Sequence, residues 1–253
     1  MKFENKVAIV TGAGGGIGRA VATSLASEGA AIVVNDIRQE PLDKVADEIR
    51  ALGQKVLAMK ADVTNSKEIY QMVQSTLNEF GRIDILVNVA GGPARGDKRT
   101  LFHEAEEETW NSVIDLNLKG TLICCHAVIR QMLQQRYGKI VNIGSVQGMV
   151  GSSIGFADYS AAKAGVIGFT KSLAKEVVSF GINFNCVSPG VVATPQLFWL
   201  PEEVIEKLKD SVYLKRLGKP EEIANLVVFL VSDEASYITG QNYAICGGRS
   251  LGL

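Results

Sequence analysis

The stretch TGAGGGIGRA, residues 11–20, lies between an apolar run, KVAIVTG (6–12), and a helical pattern, GRAVATSLASEG (18–29). Strand, glycine-rich turn and helix in that order open a dinucleotide-binding unit. Glycine lets the backbone approach a pyrophosphate closely, and the unpaired amides and positive dipole end of the helix favour an anion. A second apolar run, AAIVVND (30–36), ends on Asp36 roughly twenty residues later, where a carboxylate accepts hydrogen bonds from both ribose hydroxyls. Glycines also mark ordinary tight turns. The full order of strand, turn, helix, strand and acid is what carries the cofactor reading.

The same alternation continues outward. KVLAMKAD (55–62), DILVNVA (84–90), KIVNIGS (139–145) and INFNCVSP (182–189) read as further strands, with a short last one near QNYAICGG (241–248). Their near-continuous apolar character predicts burial on both faces, as in a parallel sheet. Between them PLDKVADEIRALG (41–53), SKEIYQMVQSTLNEFG (66–81) and PEEIANLVVFLVSD (220–233) carry helical spacing, and several end in glycine. Strand alternating with helix predicts an α/β protein with a doubly wound sheet. No linker or repeat interrupts residues 1–253, so one domain is expected. The least regular segment, 191–217, follows the sixth strand at the sheet edge where ligands bind and is a candidate substrate lid.

Composition narrows the function classes. The chain has 253 residues, 47% hydrophobic and 21% charged, the balance of a soluble globular protein. A formal net charge of −1 leaves no basic footprint for nucleic acid. The N-terminal apolar run is too short for a membrane span and lacks a cleavage signal, so a cytoplasmic protein is expected. Cys124, Cys125, Cys186 and Cys246 show no metal-binding spacing and read as reduced core thiols; no metal site is expected.

The run DYSAAKAG (158–165) sets Tyr159 and Lys163 four residues apart, on one helix face. Oxidation of a secondary alcohol needs a group that takes the hydroxyl proton. A phenol ordinarily titrates near 10, and about 4 kcal/mol of preferential phenolate stabilisation brings it near neutrality. A lysine on the same face favours the phenolate by charge. Ser145 at the end of the fifth strand brings a hydroxyl to the same sheet edge. Gln147, Phe156, Phe198, Trp199 and Tyr213 are candidates for an apolar substrate pocket, although each equally suits plain packing. Neither His103 nor His126 is needed.

Gly12, Gly16 and Gly18, with YSAAK (159–163) and SPG (188–190), resemble the short-chain dehydrogenase/reductase family along essentially the whole chain. The resemblance implies a single-domain Rossmann fold with a parallel seven-stranded sheet and helices on both faces. It implies that Gly12, Gly14, Gly15, Gly16, Ile17 and Gly18 cradle the cofactor, with Asp36 and Ile37 at its ribose and Asp62 and Val63 at its adenine. Asn88, Ala90 and Gly91 stand in the family's Asn-Asn-Ala-Gly turn, and Pro189, Gly190, Val192 and Thr194 in its nicotinamide segment. By the same resemblance Ser145 holds the substrate oxygen, Tyr159 carries the proton, and Lys163 also contacts the nicotinamide ribose. The backbone of Asn117 would organise water leading from the lysine to solvent. Two positions depart from the pattern: Val89 replaces the second asparagine of the turn, putting a sheet-bracing hydrogen bond in doubt, and Cys246 replaces an aspartate before Gly247 and Gly248. The Ser145–Tyr159 interval also runs slightly long for the family.

The expectation is an NAD-dependent oxidoreductase interconverting a secondary alcohol and a ketone, with an apolar, cyclic or aryl-bearing substrate. NAD is favoured because Asp36 would repel a 2′-phosphate, while Gly15 and Ile37 occupy the positions where NADP-preferring relatives carry basic residues. Arg38 is the one nearby cation that opposes this. A 3-oxoacyl thioester reductase using NADPH is the alternative, with Arg130, Arg136, Lys171 and Lys175 as a carrier-docking patch. A catalytically silent dinucleotide-binding regulator would be expected to lose the serine, tyrosine or lysine, and all three are present. The family's habit implies a homotetramer.

Overall fold

Seven parallel strands form one sheet: β1 (Val7–Thr11), β2 (Ala31–Asp36), β3 (Val56–Lys60), β4 (Ile85–Asn88), β5 (Gly138–Ile143), β6 (Ile182–Pro189) and β7 (Asn242–Ile245). Their spatial order is β3-β2-β1-β4-β5-β6-β7. The structure, a computed structural model, describes residues 1–93, 101–152 and 155–250. After β3 the chain returns to the other side of β1, so the winding direction reverses between β1 and β4. The crevice at a carboxyl edge where winding reverses is where open α/β sheets hold ligands.

Two-residue periodicity explains why the strands read as continuously apolar. In β1, Ala8 and Val10 enter one core while Val7 and Ile9 enter the other; in β2, Ile32 and Val34 oppose Val33 in the same way. On the first face pack α1 (Gly16–Ser27), α2 (Gln39–Ala51) and α9 (Pro220–Val231). On the second pack α3 (Ser66–Phe80), α5 (Gly120–Gln135) and α7 (Ala157–Val177). The helical run Glu107–Gln135, which begins with α4 (Glu107–Ile114) and ends with α5, is long and apolar enough to cross a bilayer by length and composition alone. Its Cys124, Cys125, Val128 and Met132 belong to the core against the sheet, and that packing accounts for the apolar face.

Three expectations are corrected. The fifth strand stops at Ile143, so Ser145 stands two residues beyond it rather than at its end. The segment 191–217 is not irregular throughout, because it contains α8 (Glu202–Asp210). Its two ends are also tied together: the Gly218 amide donates to Val191 O at 2.9 Å, and the Ala193 amide to Gly218 O at 2.8 Å. Finally, Cys246 is only half-buried, whereas Cys124, Cys125 and Cys186 are core thiols. The long interval before Tyr159 contains the short helix α6 (Gln147–Val150); Ser153 and Ile154 lie outside the described residues.

Candidate active site

The glycine loop joins β1 to α1 across a very short gap. A Cβ on Gly18 would stand 2.2 Å from Gly12 O, so only glycine lets the helix begin this close to the strand. No side chain caps the start of α1, and the space over Gly15 is open. Among the described residues no side chain therefore accepts from its first amides, which suits a phosphate. Thr194 reaches across from beyond β6: its Cγ2 lies 3.0 Å from where a Gly16 Cβ would be. The two segments expected to enclose the cofactor thus meet.

Asp36 shares its carboxylate between two neighbours. Oδ2 accepts from the Gly14 amide at 3.1 Å, and Oδ1 accepts from the Arg38 amide at 3.0 Å and from Arg38 Nε at 3.3 Å. Arg38, the cation available for a phosphate, is therefore already turned onto the acid. Ile37 is half-exposed beside them. Asp62 accepts from the amide and hydroxyl of Thr64, both at 2.8 Å, while Val63 is buried against Gly120. This amide-rich loop, with one shared acid at the ribose position, fits a nicotinamide dinucleotide.

The turn after β4 is braced without the missing asparagine. Thr11 Oγ1 accepts from the amides of Val89 and Ala90 at 3.1 and 3.2 Å, so the bond in doubt is supplied from β1 through backbone groups. The side chain of Asn88 points into the sheet, donating to Asn142 Oδ1 at 2.8 Å. It does not face the cleft, and any contact from this residue to a cofactor is left to its backbone. Sequence reasoning missed Thr11; its place directly before the glycine loop is the one available signal.

Beyond this turn the polar groups converge. A π-helical turn, Asp115–Lys119, presents Asn117, whose Oδ1 accepts from the Gly92 amide at 2.9 Å and whose Nδ2 donates to Gly92 O at 2.8 Å and Val113 O at 2.9 Å. The expectation assigned Asn117 a role through its backbone, but here its side chain grips the turn. Its backbone carbonyl accepts from Thr121 Oγ1 at 2.9 Å. A Cβ on Gly91 would stand 2.6 Å from Asn117 Oδ1 and 3.2 Å from Lys163 Nζ, so the turn, the asparagine and the lysine are in direct contact.

Lys163 is fully enclosed and donates from Nζ to Ile143 O at 2.8 Å. Burial lowers its pKa to about 8. Its Nζ lies 5.8 Å from the centre of the Tyr159 ring. Burial pushes the Tyr159 phenol up to about 12, and the hydrogen bond with Ser145 works against that rise. The lysine was expected to draw the phenol down. Burial instead acts on each group separately, raising the phenol and lowering the amine. Ser145 Oγ in turn accepts from the Gln147 amide at 3.1 Å.

The substrate side departs further from expectation. A cavity of about 180 Å³ opens beside Ser145, lined by Val146, Gln147, Val150, Gly151, Ser152 and Arg249. Phe198, Trp199 and Tyr213 are not part of it; they are 60, 69 and 71% exposed, all within the 191–217 segment. Phe156 is partly buried at the start of α7. Cys246 lies against Gly190 at the end of β6. Burial raises its thiol, but the Ser250 hydroxyl and the amides of Ser250, Gly248 and Arg249 outweigh this and hold it below the usual range.

The chain is similar to several known proteins. A family model described as enoyl-(acyl carrier protein) reductase matches residues 12–250. The chain is 43% identical over 251 residues to (2S)-[(R)-hydroxy(phenyl)methyl]succinyl-CoA dehydrogenase subunit BbsD of Thauera aromatica, covering 99% of each. It is 42% identical over 248 residues to the 3-oxoacyl-[acyl-carrier-protein] reductase FabG of Thermotoga maritima, covering 98% of this chain and 99% of the other. A crystal structure of NAD+-bound xylitol dehydrogenase superimposes with a TM-score of 0.92 at 33% identity, covering 98% of this chain and all of that one.

Proposed function

We propose a function from one premise: the chain belongs to the short-chain dehydrogenase/reductase family, and is an oxidoreductase acting on CH–OH groups. The finer reading is an NAD-dependent enzyme that interconverts a secondary alcohol and a ketone, with an apolar or aryl-bearing substrate. The observation that carries it is the contact chain Ser145–Tyr159–Lys163 with Asn117 and Gly91 at the carboxyl edge of the sheet.

A bound nicotinamide supplies the hydride acceptor or donor. Ser145 Oγ donates to the substrate oxygen, and Tyr159 Oη takes the proton as that oxygen becomes a carbonyl. Lys163, lowered to about 8, is poised to exchange a proton near neutrality and so return the tyrosine to its starting state. Asn117 holds the Gly91–Gly92 turn against that lysine. Tyr159 is held at a high pKa by burial, and a positively charged oxidised nicotinamide, if held there, would favour its phenolate.

A second reading, a 3-oxoacyl thioester reductase, is favoured by the FabG relatives. The Thauera aromatica relative is named for a substrate that joins a phenyl-bearing carbinol to a succinyl-CoA thioester. A hydroxyl near a thioester carbonyl, with an aryl neighbour, therefore satisfies both readings. We further place the protein in the cytoplasm as a homotetramer. The test is Tyr159→Phe, assayed by NADH formation from a panel of secondary alcohols and hydroxyacyl thioesters. Turnover should fall more than tenfold while NADH binding, followed by fluorescence, stays near wild type. Retained turnover would overturn the assignment of the base.

A further inference from the structure

The cavity beside Ser145 has one charged wall. Neither Ser145 nor Tyr159 lines the cavity, but Val146 and Gln147 directly follow Ser145 and the Gln147 amide donates to the serine hydroxyl, so this space begins one residue from the group that would hold the reacting oxygen. Arg249 closes it from a part of the chain about a hundred residues away. The turn after β7 fixes that position: the Arg249 amide donates to Cys246 O at 3.2 Å, and the Cys246 Cβ lies 2.8 Å from where a Gly190 Cβ would stand. Arg249 is thereby tied to the end of β6.

Its guanidinium has no acidic partner among the described residues, a condition shared with Arg130 and Arg136, whereas Arg19, Arg38, Arg50, Arg82 and Arg216 are each paired with one. The rest of the lining is neutral, with Gln147 and Ser152 as its polar groups and no aspartate or glutamate. A guanidinium presents five donors in a rigid planar fork that matches a carboxylate bidentately. At about 180 Å³ the space is smaller than the ~300–1,000 Å³ that surrounds a whole drug-sized ligand, so it suits one end of a substrate rather than a nucleotide-sized group.

We propose that this cavity is a carboxylate subsite. The substrate is then a secondary alcohol, or the matching ketone, that bears a free carboxylate a short link from the reacting carbon. Arg249 pairs with that carboxylate and sets which substrates are accepted. The proposal rests on the oxidoreductase reading above and deepens it by naming the substrate's second polar group.

The test compares 3-hydroxy-3-phenylpropanoate with its methyl ester, which lacks the charge and adds one methyl group. NADH formation gives kcat/KM for each with wild type, Arg249→Gln and Arg249→Lys. A charge-assisted bond of the usual strength predicts a wild-type acid-to-ester ratio of about 30, lost in Arg249→Gln and partly kept in Arg249→Lys. Binding of 3-phenylpropanoate by calorimetry, which needs no turnover, separates the two levels of the argument. Weakening of that binding about tenfold or more by Arg249→Gln supports the subsite even if neither alcohol is oxidised, in which case the oxidoreductase reading is what fails. Turnover of both compounds with the same ratio in wild type and Arg249→Gln overturns the subsite and leaves the oxidoreductase reading standing. Absence of 3-phenylpropanoate binding to wild type also overturns the subsite.

Discussion

Replacing Lys163 by methionine tests the electrostatics of the site without any substrate. In the fold the lysine titrates at about 8 against an ordinary 10.5, because burial opposes its charge. Below pH 8 both the folded and the unfolded chain hold the proton, and the whole penalty is present. Between pH 8 and 10.5 the unfolded chain binds more protons than the folded one, so stability rises with pH; above 10.5 the penalty is gone. At about 1.4 kcal/mol per unit, the penalty is about 3 kcal/mol at pH 7, most of which is relieved by pH 10. Methionine fills similar space without the charge. Its loss of the bond to Ile143 O shifts stability by an amount independent of pH. Cys186, whose thiol burial pushes up to about 11, titrates in both proteins and largely cancels in the comparison. Urea unfolding at pH 7, 8, 9 and 10 should therefore show the stability of Lys163→Met relative to wild type falling by about 2 to 3 kcal/mol across the range. A gap between the two curves that stays constant within about 0.5 kcal/mol would refute the buried, weakly basic lysine.

Asp36→Ala should reduce the preference for NAD over NADP, expected at about a hundredfold in wild type, because it removes the repelling charge and frees Arg38 from its 3.3 Å contact. The ratio of kcat/KM with the two cofactors measures this, and an unchanged ratio would show that Asp36 is not the discriminator. Thr11→Val should cost about 2 kcal/mol of stability by orphaning the amides of Val89 and Ala90, while Thr11→Ser should cost much less. Thermal unfolding distinguishes the two variants, and equal losses would mean that packing, not the hydroxyl, is what matters. Light scattering at micromolar concentration should return four times the 27.1 kDa chain mass, and a monomer mass would refute the tetramer.

Much of the fold was legible in the residues because it depends on local pattern. Near-continuous apolar runs marked the strands to within a few residues, since side chains of the central strands, buried on both faces, must be apolar at nearly every position. The glycines after β1 and the acid at the end of β2 were readable for a similar reason: the geometry of one βαβ unit depends on residues close in sequence. The spacing of Tyr159 and Lys163 likewise needs only a helix. What each side chain faces was not local. Desolvation from several elements at once pushes Tyr159 up and Lys163 down, reversing the simple expectation of mutual attraction. Asn88 turns into the sheet because β5 supplies Asn142, and Asn117 grips Gly92 because a π-helical turn aims it there. Phe198 and Trp199 look like pocket residues by type, yet stand in solvent. Arg249 has no motif around it, and only the return of the chain through β7 to the edge of β6 brings it to the cavity beside Ser145. Residue pattern along the chain decided where the elements and the reactive groups lie; long-range packing decided their charge states and their partners, because burial and contact are properties of the assembled layers.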